Sequence, residues 1–227
     1  MYVQDIMQKQ VVTVTPETRL PDAMRLMRER GFRHLPVIAD VGLVGIVSDR
    51  DVKRAMVSVP RPVAGAERNS LDGDVRMVDI MTRSVITAGP TFTVEEAARV
   101  MVAERISALP VTDGGRLVGI ITETDVVALF VRALGATTPS SRIDVVVGPR
   151  GSALADVIQI VEATAPISSV VTLEDRAGHR EAIIRLATIN PRAAIEALKA
   201  RGYQVRMPDP SGGAHWRTES PGFRLAR

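Results

Sequence analysis

The sequence predicts an α+β protein: two tandem β-α-β-β-α units packed as a pair, followed by a β-α-β-β-α-β unit of different pattern. Three observations carry this. Sliding the chain against itself gives a gapless match at an offset of 74, pairing residues 5–52 with 79–126, with about 18 of the 48 aligned positions identical. Within each copy, a helical apolar period precedes two short apolar runs separated by a turn. Beyond residue 142 the apolar runs follow a different order of strand, helix, two strands, helix and strand.

The elements follow in chain order. A strand is expected at the β-branched run Val11 to Val14, which Pro16 ends. Leu20, Ala23, Met24 and Met27 recur at helical spacing until Gly31 supplies a stop. Residues 35–39 and 43–47 read as strands across a turn at Asp40 and Gly42, where the second copy places Asp113-Gly114-Gly115. Ser48-Asp49-Arg50-Asp51 and Thr122-Glu123-Thr124-Asp125 each open a further helix. Neither copy is large enough to bury a full core alone, so the two are expected to pack together.

Residues 59–77, with Pro60, Pro62, Gly65 and Gly73 and no apolar period, read as a linker between copies spanning 1–58 and 78–135. In the third unit, residues 142–207, Ile143 to Val147 is a strand and Pro149-Arg150-Gly151-Ser152 turns into a helix carrying Leu154, Val157, Ile158 and Val161. Strands at 167–173 and 182–189 flank a polar turn from Asp175 to His179, Pro191 opens a helix to Arg201, and a last strand begins at Gly202 to Val205. That order is a ferredoxin-like split unit. Residues 208–227, rich in Pro, Gly and Ser with Trp216 isolated, read as a flexible tail.

Composition bounds the chemistry. Of 227 residues, 45% are hydrophobic and 24% charged, ordinary globular usage that argues against disordered or fibrous classes. The absence of cysteine excludes disulfides, thiolate metal sites and thiol nucleophiles. No apolar run approaches the ~20 residues of a membrane span, and Met1 to Asp5 lacks a basic-then-apolar leader, so a cytoplasmic protein without membrane association is expected. A net charge of +3 without basic runs, and seven aromatic residues none of which interleave with basic clusters, argue against nucleic acid as a partner.

The segment Arg105-Ile106-Ser107-Ala108-Leu109-Pro110-Val111, followed by Gly115 to Thr122 and closing at Asp125, resembles the cystathionine-β-synthase (CBS) motif, and residues 5–58 repeat it. The resemblance implies a Bateman module, in which paired CBS motifs bind adenosine compounds such as AMP, ADP, ATP or S-adenosylmethionine. It points to Thr13, Arg33, His34, Pro36, Ser48, Arg50 and Asp51 in copy one, and to Thr87, Ser107, Ala108, Pro110, Thr122 and Asp125 in copy two, as ligand-binding residues. The third unit resembles an ACT domain, with Arg150, Gly151, Ser152 and Leu154 as its candidate effector site, although Gly148-Pro149-Arg150 lacks the acidic residue common before that family's Pro-Gly. The whole order is similar to the acetoin-utilisation B family of CBS-ACT proteins.

The Ser/Thr-x-x-Asp elements have two readings. As capping arrangements they satisfy free N–H groups of a first helical turn. As ligand groups they add a hydroxyl and a carboxylate, suited to phosphate and ribose, to a helix N-terminus that attracts anions. Arg33, His34, Arg50 and Lys53 make copy one the better candidate for a polyphosphate, since copy two offers Ser107, Ala108, Thr124 and Val127 there. His34, His179 and His215 lie in separate segments, and no Walker loop, dinucleotide fingerprint or nucleophile elbow is present, so neither a metal site nor catalysis is expected. The function expected is a non-enzymatic regulatory sensor that acts as a homodimer or larger homo-oligomer, its ACT-like unit serving dimerisation or a second effector. An assembly module without ligand and a small-molecule enzyme built on the ACT-like unit stay open as alternatives.

Overall fold

The computed structural model describes residues 1–58, 75–148, 151–174 and 180–207. Most of the expected linker, Pro149 and Arg150, the turn from Asp175 to His179 and the tail with His215 and Trp216 lie outside the described residues. The chain divides into two compact units between Val127 and Ala128. None of the described helices is long and apolar enough to cross a membrane.

In the first unit, α1 (Leu20–Arg30) buries Leu20, Ala23 and Met27, one face at helical spacing. Gly31 ends it in the left-handed region at φ 69°, donating its N–H to the Met27 carbonyl. The hairpin β1 (His34–Ala39) and β2 (Gly42–Ser48) follows, then α2 (Asp49–Ser58). The second copy repeats this after a short α3 (Met77–Ile80): α4 (Val94–Glu104), β3 (Ala108–Asp113), β4 (Arg116–Thr122) and α5 (Glu123–Ala133). Both hairpins are antiparallel and carry the same irregularity, between Val37 and Ile38 and between Val111 and Thr112. The expected strand at Val11 to Val14 is reduced to one parallel bridge, Val14 to Val37, matched by Ala88 to Val111. Each bridge is bracketed by two backbone hydrogen bonds, and the short segment leaves no room for a longer ladder before Pro16.

The two copies exchange their N-terminal segments. Val3 is fully buried among Ala88, Ala97, Met101, Leu109, Val111 and Ile121 of the second copy, with Ile6 and Met7 packed beside it. Reciprocally, Met77 is fully buried among Leu20, Ala23, Leu35, Val37 and Val47 of the first copy, beside Ile80 and Met81. Backbone bonds fix the exchange: Val3 N–H donates to Phe92 O at 2.8 Å and Met77 N–H to Thr18 O at 2.9 Å. Antiparallel bridges from Gln8 to Ile120 and from Ile46 to Thr82 continue each segment along the opposite hairpin. Gly45 and Gly119 permit this approach, because a Cβ at Gly45 would overlap the Met81 side chain and one at Gly119 the Met7 side chain.

The second unit contains β5 (Ser141–Val147), α6 (Gly151–Glu162), β6 (Ile167–Glu174), β7 (Arg180–Leu186), α7 (Arg192–Ala200) and β8 (Val205–Arg206). The sheet order is β6-β7-β5-β8 with every neighbouring pair antiparallel, the ferredoxin-like arrangement. Alternate residues Ile143, Val145, Val147, Ala182, Ile184 and Leu186 meet Val157 and Val161 of α6 and Ala194 and Leu198 of α7 in one core. β7 stops at Leu186, short of Ile189, which is 81% exposed.

Candidate functional site

Two cavities in the first unit are related by the offset of the sequence repeat. The larger, about 610 Å³, is lined by Ile46, Ser48, Arg50 and Asp51 of copy one and by Thr82, Ser84, Val85, Ile86 and Arg105 to Ala108 of copy two. The smaller, about 400 Å³, is lined by Ile120, Thr122, Thr124 and Asp125 of copy two and by Gln8, Gln10, Val11, Val12 and Gly31 to His34 of copy one. Each of these residues in one cavity lies 74 positions from its counterpart in the other, with the copies interchanged. Each cleft is therefore composite, and the exchanged N-terminal segments are what bring its two walls together.

At the floor of each cleft stands a capped helix start. Asp51 Oδ2 accepts from the Ser48 N–H at 2.8 Å and from Ser48 Oγ at 2.6 Å, while the Asp51 N–H donates to Ser48 Oγ at 3.3 Å. Asp125 and Thr122 repeat the arrangement at 2.8, 2.7 and 3.4 Å. The capping reading thus holds in both copies, and it engages Oδ2 of each carboxylate. The α2 and α5 N-termini add their helix dipoles, which favour an anion at that end.

Arg33 and His34 line both cavities. The Arg33 guanidinium donates from Nη2 to Thr124 Oγ1 at 3.2 Å, in the cleft of the other copy. His34 Nε2 lies 3.0 Å from Ser107 Oγ. Desolvation first, and the Arg33 charge second, hold the His34 imidazole below its ordinary value, against the opposing pull of Asp49, Asp51 and Glu123. Lys53 donates to Asp49 Oδ2 at 2.8 Å and holds that carboxyl below the usual range.

The other residues that the sequence singled out fall elsewhere. Thr13 and Thr87 are exposed and line neither cleft; Thr13 borders a separate groove with Asp22, Glu29 and Asp40, because the adjacent Val14 turns inward to pair with β1. Pro36 is buried and lines neither cleft, its carbonyl accepting from Val14 N–H, whereas its counterpart Pro110 borders the larger cleft. Lys53 lies outside both cavities, held by Asp49 in a shallow groove with Met24, Met27 and Met56. In the second unit, Arg150 and the Ser152 side chain lie outside the described residues, Gly151 begins α6, and Leu154 packs half-buried against the core. The residues that sequence reasoning missed are those of the exchanged segments, Gln8 to Val12 and Thr82 to Ile86, together with Arg105. Their signal was the identical Asp-Ile-Met and Leu-Val-Gly-Ile elements of the two copies, which meet across the exchange.

Comparison with known proteins agrees with this architecture. The CBS domain family model matches residues 3–58 and 77–132. Uncharacterized protein MJ1426 of Methanocaldococcus jannaschii is 34% identical over 157 residues, covering 58% of this chain and 92% of that protein. An inosine-5'-monophosphate dehydrogenase of Korarchaeum cryptofilum is 40% identical over 119 residues, 52% of this chain; the chain spans only 22% of the dehydrogenase's length. Among solved structures, an acetoin utilization protein (AcuB) from Vibrio cholerae matches 60% of this chain and 93% of its own at 31% identity and a TM-score of 0.51. The CBS domain pair of protein MJ0100, solved in complex with 5-methylthioadenosine and S-adenosyl-L-methionine, covers 61% of this chain and 98% of its own at 29% identity and a TM-score of 0.49. With its two matched motifs and their reciprocal clefts, the chain belongs to the CBS-domain family.

Proposed function

We propose that the protein is a non-enzymatic ligand sensor whose two composite clefts bind adenine nucleotides or related adenosyl compounds. The observation that carries this is the pair of equivalent cavities, each of small-molecule size and each opening on a capped helix N-terminus. A phosphate placed there meets the positive end of the helix dipole. The carboxylate beside it retains Oδ1 to accept from vicinal ribose hydroxyls. Apolar Ile46, Val85 and Ile86 in the larger cleft, and Ile120, Val11 and Val12 in the smaller, suit a flat base.

Because the two walls of each cleft come from different copies, a bound nucleotide draws the copies together, and a partner protein would read that shift. The second unit, ferredoxin-like in topology, would add self-association or a second effector site. Self-association of the chain is also favoured by α5, the helix within which the two units divide, which buries none of its residues and leaves Val127 and Phe130 58% and 59% exposed.

A thermal-shift panel of AMP, ADP, ATP, S-adenosylmethionine and amino acids tests the reading. At a hundredfold excess over Kd, a ligand that binds only the native state adds about 2.7 kcal/mol. A raised melting temperature with adenosine compounds is expected; no shift with any of them overturns the reading.

A further inference from the structure

The two clefts share a plan but differ in charge at equivalent positions. Arg50 of the larger cleft corresponds to Thr124 of the smaller, and Arg105 corresponds to Gly31. Neither the Arg50 nor the Arg105 guanidinium has a hydrogen-bond or ion-pair partner among the described residues. Arg105 is also the one non-glycine residue with a positive φ, 55°, among the described residues, and it ends α4 where Gly31 ends α1. A glycine there would relieve the backbone, so the position carries an arginine at a conformational cost.

The larger cleft also holds carboxylates. Asp49 is engaged by Lys53, and Asp51 by its capping hydroxyl; Glu123, the first residue of α5, also lines the cavity. Arg54 borders the same cavity. The smaller cleft has Arg33, already donating to Thr124, as its one cationic side chain among the described residues, balanced by Asp125 and flanked by neutral Gln8, Gln10 and Thr124.

Resting on the nucleotide reading above, we propose that the clefts divide the ligands by phosphate number. The Ser48–Asp51 cleft takes an adenosine di- or triphosphate, with Arg50 and Arg105 as the residues that determine this specificity. The Thr122–Asp125 cleft takes an adenosyl compound with one phosphate or an uncharged tail. Arg50 reaches the cavity from the first turn of α2 and Arg105 from the opposite copy, so the two guanidinia approach a phosphate chain from both walls. Arginine suits this task because its planar fork binds phosphate oxygens in pairs and remains charged throughout the accessible pH range.

The test exchanges the residues between copies. Calorimetric titrations of AMP, ADP and ATP are run on the full chain and on Arg50→Thr, Arg105→Gly and the double variant, each of which installs the residue that the other cleft already tolerates. Each single substitution is expected to weaken ATP at the larger cleft about fivefold or more while AMP changes less than about twofold, and Arg50→Lys restores part of the ATP preference. The ATP-to-AMP ratio within one variant cancels any loss of folded protein. An unchanged ratio in the double variant, with nucleotide still bound, overturns the division of ligands and leaves the nucleotide reading standing. A wild-type chain that binds none of the three overturns both.

Discussion

Ser107 Oγ lies 3.0 Å from His34 Nε2, a contact between residues 73 apart in sequence that joins the segment before β3 of one copy to the first residue of β1 in the other. His34 stands at the meeting point of both clefts, and its imidazole is held below its ordinary value by desolvation and by Arg33. A histidine lowered in the fold stays neutral there while the unfolded chain takes up a proton as the pH drops below about 6.5. Stability is therefore full above that pH and declines as the pH falls toward the folded value. Denaturant melts at about pH 7.5 and 5.5, either side of that unfolded value, should show a drop that is smaller in His34→Ala, the residue found at the equivalent Ala108; an equal drop in both proteins would remove His34 from the cause.

Gly45 and Gly119 should not tolerate a side chain. An added methyl at Gly45 meets Met81, and at Gly119 it meets Met7 with the Gln8 carbonyl 3.2 Å away. Because the obstruction lies between the exchanged segment and the hairpin of the other copy, overpacking there should cost about 1–3 kcal/mol in each variant. Urea midpoints measure it. Trimming the facing residue relieves the overlap, so Gly45→Ala/Met81→Ala should lose less stability than the sum of the two single variants; a strictly additive loss would mean that the two positions do not meet.

Arg105→Gly should stabilise the chain by about 1 kcal/mol, because it releases a side chain from the left-handed region at the end of α4. Thermal unfolding without ligand checks this. The converse substitution, Gly31→Ala at φ 69°, should destabilise by a similar amount, since open space around it offers no compensating contact.

Asp51 and Asp125 carry two roles that separate by substitution. Alanine removes the cap and should cost about 0.5–2 kcal/mol of stability. It also removes a charged acceptor, which should weaken nucleotide at that cleft about tenfold to a hundredfold. Asparagine can still accept from the Ser48 N–H, so Asp51→Asn should recover most of the stability and little of the affinity. Calorimetry paired with melts distinguishes the roles; wild-type affinity in both asparagine variants would leave the carboxylates as caps alone.

The parts of this structure written locally were legible in the sequence. The α1 face of Leu20, Ala23 and Met27 with its Gly31 stop, the paired hairpins and the capped Ser48–Asp51 and Thr122–Asp125 starts all follow from spacing and turn chemistry. So does the order of the second unit, whose sheet pairs as a ferredoxin-like split requires. The composition of each cleft was not legible, because it depends on which copy receives the Asp-Ile-Met segment. The family resemblance pointed to Thr13 and the local charges of copy one to Lys53, whereas the exchange brings Arg105 and Thr82 to Ile86 against Ser48 and Asp51. Thr93 with Glu96 shows a local signal passed over: the Glu96 carboxylate accepts from Thr93 N–H and Oγ at 3.0 Å, and those bonds hold it below the usual range.

Hydrogen exchange of the full chain with and without saturating AMP bears most directly on the composite clefts. Binding should slow exchange together in segments far apart in sequence: 46–51 with 82–86 and 105–108 for the larger cleft, or 120–125 with 8–12 and 31–34 for the smaller. Slowing confined to segments of one copy, or to residues 142–207 alone, would contradict clefts built from both copies.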